Sequence, residues 1–127
     1  MIHTTGYELP VPSTSLDGAV EVRDLDAGVT ISFDFWRDGK KHRGAIEFRK
    51  VRAYRFRAEI HCTAEQVEDA YDTLVEVKES SWAAEIRADT EPRWRNTWVL
   101  RHFMIYFDSD GCYELLADAW EASEVEV

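Results

Sequence analysis

Four histidines and 25 carboxylates give this 127-residue chain the side chains for acid–base chemistry, so their placement decides what they can do. His102 and Asp118 fall on two segments that read as paired strands. A carboxylate opposite an imidazole fixes its tautomer and suits it to general-base work. The spacing sets no Ser or Cys nucleophile beside the pair, and a structural hydrogen bond is the plainer reading. A metal site from His61, His102, Glu114 and Asp118 needs strands distant in sequence to converge, and the chain has no short ligand spacing. Asp108-Ser109-Asp110-Gly111 opens like a calcium loop but lacks the remaining ligands and the distal Glu, so it reads as a turn. Cys62 and Cys112 have no CxxC spacing and read as reduced core thiols. No catalytic residue, metal or cofactor is assigned.

The elements that must position these residues predict an α+β fold. It consists of a twisted antiparallel sheet of about six strands, with helices on one face. Apolar residues make up 45% of the chain, with five Trp, enough to fill a core without disulfide or metal staples. Residues 1–18, with Pro10, Pro12 and a serine cluster, read as an extended lead-in, and residues 19–127 as a single domain. Val29, Ile31, Phe33 and Phe35 alternate with polar residues, and Asp38-Gly39 carries the chemistry of a type I′ hairpin turn. That turn sets Ile31 opposite Ile46 and Val29 opposite Phe48. A fourth strand runs from Arg52 to His61, with Tyr54, Phe56, Ala58 and Ile60 on one face and Arg55, Arg57, Glu59 and His61 on the other. Thr63 and Gln66 form a capping box for a long helix whose apolar stripe is Val67, Ala70, Tyr71, Leu74 and Val75. Ser80-Ser81 ends it and caps a short second helix through Trp82, Ile86 and Arg87.

Residues 97–107 and 112–120 read as a C-terminal hairpin around a three-residue loop, with Gly111 in the left-handed position. Phe103 then faces Ala117, Ile105 faces Leu115 and Phe107 faces Tyr113, giving an apolar face against the helix. The other face carries Trp98, Leu100, His102, Met104, Tyr106, Glu114, Leu116, Asp118 and Trp120, and Arg55 and Arg57 join it if the earlier strands pack alike. This aromatic and charged mixture has the composition of an interface. The expected partner- or ligand-binding face is therefore Trp98, Leu100, His102, Met104, Tyr106, Glu114, Asp118, Trp120, Arg55 and Arg57.

The net charge of −10 is divided along the chain. Residues 37–57 hold nine Lys or Arg against Asp38 and Glu47. Residues 64–91 hold nine acids against Lys78 and Arg87, and residues 108–127 hold seven acids and no base. The balance excludes nucleic acid as the main partner and favours a basic protein. With no apolar run of membrane-spanning length and no signal-like N-terminus, the reading is cytoplasmic, with no membrane partner. A second copy of the chain could also cover the mixed face.

Arg101-His102-Phe103, followed by Phe107-Asp108-Ser109-Asp110-Gly111 and Tyr113-Glu114, resembles small bacterial proteins, some of which serve as immunity proteins for toxins. The resemblance implies an acidic single-domain inhibitor that masks a basic toxin, and it assigns no residue a role. The resulting expectation is a non-enzymatic protein-binding domain. The alternative is a small-ligand-binding domain or small enzyme with a pocket around His102 and Asp118.

Overall fold

In the computed structural model, which describes residues 1–127, Asp38 and Gly39 both take positive φ, 53° and 74°. A type I′ turn requires this of both central residues. The chain order is β1 (His3–Glu8), β2 (Glu21–Leu25), β3 (Gly28–Arg37), β4 (Lys40–Arg49), β5 (Ala53–Ala58), α1 (Ala64–Ala70), β6 (Thr73–Val77), α2 (Ser81–Asp89), β7 (Arg101–Phe107), β8 (Gly111–Ala117) and β9 (Ala119–Glu126). The Asp38-Gly39 turn joins β3 to β4 with Ile31 opposite Ile46 and Val29 opposite Phe48, the expected register.

The fold is α+β, with nine antiparallel strands in two sheets instead of about six in one. Sheet 1 has the order β1-β6-β7-β8-β5 and sheet 2 the order β2-β3-β4-β9. The sheets share one core: Val29, Ile31, Phe33, Phe35, Ile46 and Phe48 from sheet 2 meet Leu74, Phe103, Ile105, Phe107, Tyr113, Leu115 and Ala117 from sheet 1. The apolar side of the C-terminal hairpin thus packs on a second sheet, where a helix was expected. The helices cover the opposite face of sheet 1, over Val75, Met104, Tyr106 and Cys112. No helix is long and apolar enough to cross a membrane.

Three local expectations change. The helix begun by the capping box ends at Ala70, and Thr73–Val77 is a strand between β1 and β7. Its apolar residues satisfy both periods, and β-branched Thr73, Val75 and Val77 gain two hydrogen-bonded neighbours as a strand. Within the lead-in, His3–Glu8 is extended and pairs with β6 as an edge strand. In the C-terminal hairpin Phe107 pairs directly with Gly111, so every partner shifts by two residues: Phe103 faces Leu115 and His102 faces Leu116. An even shift keeps each side chain on its face. Ser109, at φ 61°, takes the left-handed position. Gly111 is needed for space, because a Cβ there would lie 2.3 Å from the Arg57 carbonyl oxygen and 2.7 Å from the Phe56 ring.

The strand expected over 112–120 breaks at Asp118. β8 stays in sheet 1, whereas β9 crosses to sheet 2 and pairs along β4. The crossing sets the acidic C-terminal strand on the basic hairpin. Arg37–Glu124 (3.0 Å), Lys40–Glu126 (3.8 Å) and Arg49–Glu121 (2.7 Å) are ion pairs there. Exposed pairs of this kind contribute roughly 0–1 kcal/mol each, so they select the neighbour more than they stabilise it.

Candidate functional site

Under the helices, β5, β7 and β8 present Arg55, His102 and Glu114 on one face of sheet 1. Glu114 sits opposite both Arg55 and Met104, and His102 lies diagonally across. Four donors converge on the Glu114 carboxylate. His102 Nε2 is 2.7 Å from Oε1 and Arg55 Nη2 3.3 Å from it; Arg55 Nε and Gln66 Nε2 each donate to Oε2 at 3.0 Å. Burial by itself would raise this carboxyl. The hydrogen bonds and charges of His102 and Arg55 outweigh it and bring it down to about 2.

The same network anchors both helix N-termini. Gln66 closes the α1 capping box, its Oε1 accepting the Thr63 N–H at 2.8 Å, while its amide nitrogen reaches Glu114. Ser80 is the N-cap of α2: its Oγ accepts the Ala83 N–H at 3.0 Å and lies 2.7 Å from His102 Nδ1. His102 thus bridges the two groups, Nε2 to the ionised Glu114 and Nδ1 to the Ser80 hydroxyl. The Trp82 ring meets His102 edge-on at 5.2 Å, and the Arg55 guanidinium lies 4.0 Å over the same indole. Ser80–His102–Glu114 is thus a continuous chain of the kind that activates a serine. Every polar atom in it is nonetheless already engaged in holding helix to sheet, and Glu114 has no free lone pair with which to take a proton.

Two adjoining recesses of about 310 and 360 Å³ open beside this cluster and share Arg55, Glu65, Ser81 and Met1 in their walls. One reaches Trp82 and His102, the other Arg57, Gln66 and Glu114.

The structure brings together Arg55, His102, Met104 and Glu114, with Arg57 at the mouth of the second recess and Tyr106 beneath α1 against Tyr71 (5.6 Å). It separates the rest of the expected face. Asp118 is not the partner of His102: the two-residue shift sets Leu116 opposite His102, and of the carboxylates on either side of Leu116 only Glu114 meets the imidazole, because the strand breaks at Asp118. It sits at the sheet-to-sheet corner, its N–H donating to Arg49 O and its carbonyl accepting from Arg101. Trp120 belongs to sheet 2 and packs on Tyr7 (6.3 Å). Trp98 lies in the loop before β7, stacked by Arg52 at 3.6 Å, and Leu100 ends that loop half-buried. Ser80, Gln66 and Trp82 were missed as site residues. Ser80 and Gln66 carried only the signals of helix caps, and Trp82 only that of a residue in the short second helix.

A second feature lies at the sandwich edge. Paired residues share a face, so Val22 (opposite Ile31), Tyr54 (opposite Leu115) and Phe56 (opposite Tyr113) all point to the interlayer side. Yet they are 36%, 46% and 46% exposed. At the far edge β9 closes on β1 through Tyr7, Trp120 and Glu124, which leaves β2 and β5 at the other edge with the layers open between them. At one end of this opening the β4–β5 linker passes from sheet 2 to sheet 1, with the Val51 N–H bonded to Ala27 O. Ile60, just past β5, is 86% exposed.

The acids divide in use. Those of β9 face β4, whereas Glu68, Glu79, Glu85 and Asp89 on the helical side are exposed and outside any ion pair. Compared with known proteins, the chain matches no family model, and neither the curated proteins nor the solved structures give a significant match.

Proposed function

We infer that this chain is a non-catalytic protein-binding domain whose working surface is the open edge formed by β2 and β5, flanked by the acidic helical side. The observation that carries this reading is the half-exposure of Tyr54 and Phe56, two aromatic residues aimed at the interlayer side and left uncovered. Exposed apolar surface bordered by polar residues is characteristic of binding sites, and aromatics dominate their energetics. The unpaired acids of α1 and α2 favour a partner with basic residues beside its apolar contact, as the resemblance to toxin-immunity proteins implies. The saturated Glu114 network supports a structural role for His102.

The test compares baits in a lysate of the cells from which the protein comes. The full chain is expected to retain a stoichiometric protein that is lost with the Tyr54→Ser/Phe56→Ser double variant and weakened at 0.5 M salt. Retention of nothing, or equal retention by both baits, overturns the reading.

A second reading, a small-ligand site in the recess beside Arg55, is favoured by the pairing of an exposed guanidinium with the Trp82 indole. It predicts that an aromatic carboxylate such as indole acetate shifts the His102 and Trp82 ring resonances saturably. Unchanged spectra at millimolar ligand count against it.

A further inference from the structure

We propose that β5 takes up an extended strand from the partner, and that this strand carries carboxylates on the face it shares with Arg55 and Arg57 and apolar side chains on the face it shares with Tyr54 and Phe56. The proposal rests on the protein-binding reading and specifies how the edge is used: the strand itself is apolar and acidic, and the partner's basic residues lie outside it, toward the unpaired acids of the helical side.

The backbone supplies the first argument. Glu59 N–H bonds to Asp110 O in the register that also pairs Arg57 with Cys112, Arg55 with Glu114 and Ala53 with Leu116. Antiparallel pairing alternates hydrogen-bonded and non-bonded pairs. The N–H and C=O groups of Ala53, Arg55 and Arg57 therefore point into the sheet, and those of Tyr54 and Phe56 point out of it, toward no strand. Such a row is a template for strand addition, in which backbone bonds give affinity and alternate side chains give specificity.

The other edges are less suited. β1 is interrupted by a bulge between Thr5 and Tyr7, β9 carries Glu121, Glu124 and Glu126, and β2 carries Glu21, Arg23 and Asp24. β5 alone offers two half-exposed aromatics along a regular edge.

Charge selects the occupant. Arg57 forms no ion pair and makes one 3.5 Å contact to the His61 carbonyl, and Arg55 remains half-exposed beyond its pair with Glu114. A second copy of β5 is a poor match, because the antiparallel self-pairings centred on Ala53–Ala58 set Arg55 against Arg55 or against Arg57. Like charges directly opposite are destabilising, whereas a carboxylate opposite Arg57 is favourable. The aromatic face in turn suits β-branched or aromatic residues.

The test uses the full ¹⁵N-labelled chain and two capped seven-residue peptides, one alternating valine with glutamate and one alternating valine with lysine. The glutamate peptide is expected to shift and protect the amides of Tyr54 and Phe56 and to bind at least tenfold more tightly than the lysine peptide. Arg57→Glu is expected to reverse that preference. Tyr54→Pro, which removes an outward N–H at a site where an edge strand tolerates proline, is expected to weaken binding at least tenfold. Should that variant unfold, the Arg57→Glu reversal decides. Protection by neither peptide, equal binding of both, or concentration-dependent protection of these amides in the free protein overturns the proposal. If neither peptide binds while the Tyr54/Phe56 double variant still loses its cellular partner, strand addition fails and the protein-binding reading stands.

Discussion

At Glu114 a buried carboxylate is stable only because four donors meet it, and removing one partner from such a cluster strands the others. Breaking a buried pair costs about 3–5 kcal/mol. Glu114→Gln is accordingly expected to lower unfolding free energy by about 3 kcal/mol at pH 7, read from urea titrations. The pH dependence has a definite sign. The folded carboxyl lies at about 2, below the ordinary 4.5, so its contribution is present above the unfolded value and is lost as pH falls from about 4.5 toward 2. The gap between wild type and Glu114→Gln should therefore narrow steeply below pH 4.5, to about a quarter of its pH 7 size by pH 2.5; a gap as large there as at pH 7 contradicts the assignment. Ser80→Ala removes the α2 cap, about 1 kcal/mol, and leaves His102 Nδ1 unpartnered. A loss of about 2 kcal/mol is expected, with weakened amide protection confined to α2. His102 was legible as a site residue because a histidine on a mixed strand face needs a partner. Its true partner was not, because Asp118 and Glu114 both lie on its face; with Leu116 opposite His102, the strand break at Asp118 leaves Glu114 as the carboxylate that meets it.

Among the elements, those with explicit local chemistry could be read directly and those defined by distant neighbours could not. Asp38-Gly39 specified its turn because both residues tolerate positive φ, and the Thr63–Gln66 box and the Ser80 cap specified where helices begin. The end of α1 had no such marker. Tyr71 to Val77 satisfies a helical stripe and a strand alternation alike, and only the presence of β1 and β7 on either side decides for the strand. The break at Asp118, which sends β9 to the second sheet, likewise depends on the basic β4 that receives it. Gly111 offers the sharpest test at this scale. Gly111→Ala brings a Cβ against the Arg57 carbonyl, a backbone atom that cannot yield without moving β5. A destabilisation of about 2 kcal/mol or more is expected, together with loss of protection at the Arg55 and Arg57 amides. A neutral substitution contradicts the close β5–β8 approach.

Over the whole molecule, the divided charge visible in the sequence is partly spent inside the fold. The acids of residues 119–126 lie along the basic hairpin, which leaves the helical side as the exposed acidic surface. The mixed face inferred from register counting is real at its centre, where Arg55, His102, Met104 and Glu114 meet, but two short helices cover it. The surface left open is instead the sandwich edge, which no single-strand pattern reveals because it depends on which strands end each sheet. The central claim is that β5 is an uncovered edge in the free protein. Amide hydrogen exchange of the full chain at several concentrations tests it most directly. The account predicts that Arg55 and Arg57 are protected and that Tyr54 and Phe56 exchange at least a hundredfold faster, independent of concentration. Equal protection of all four amides would contradict it.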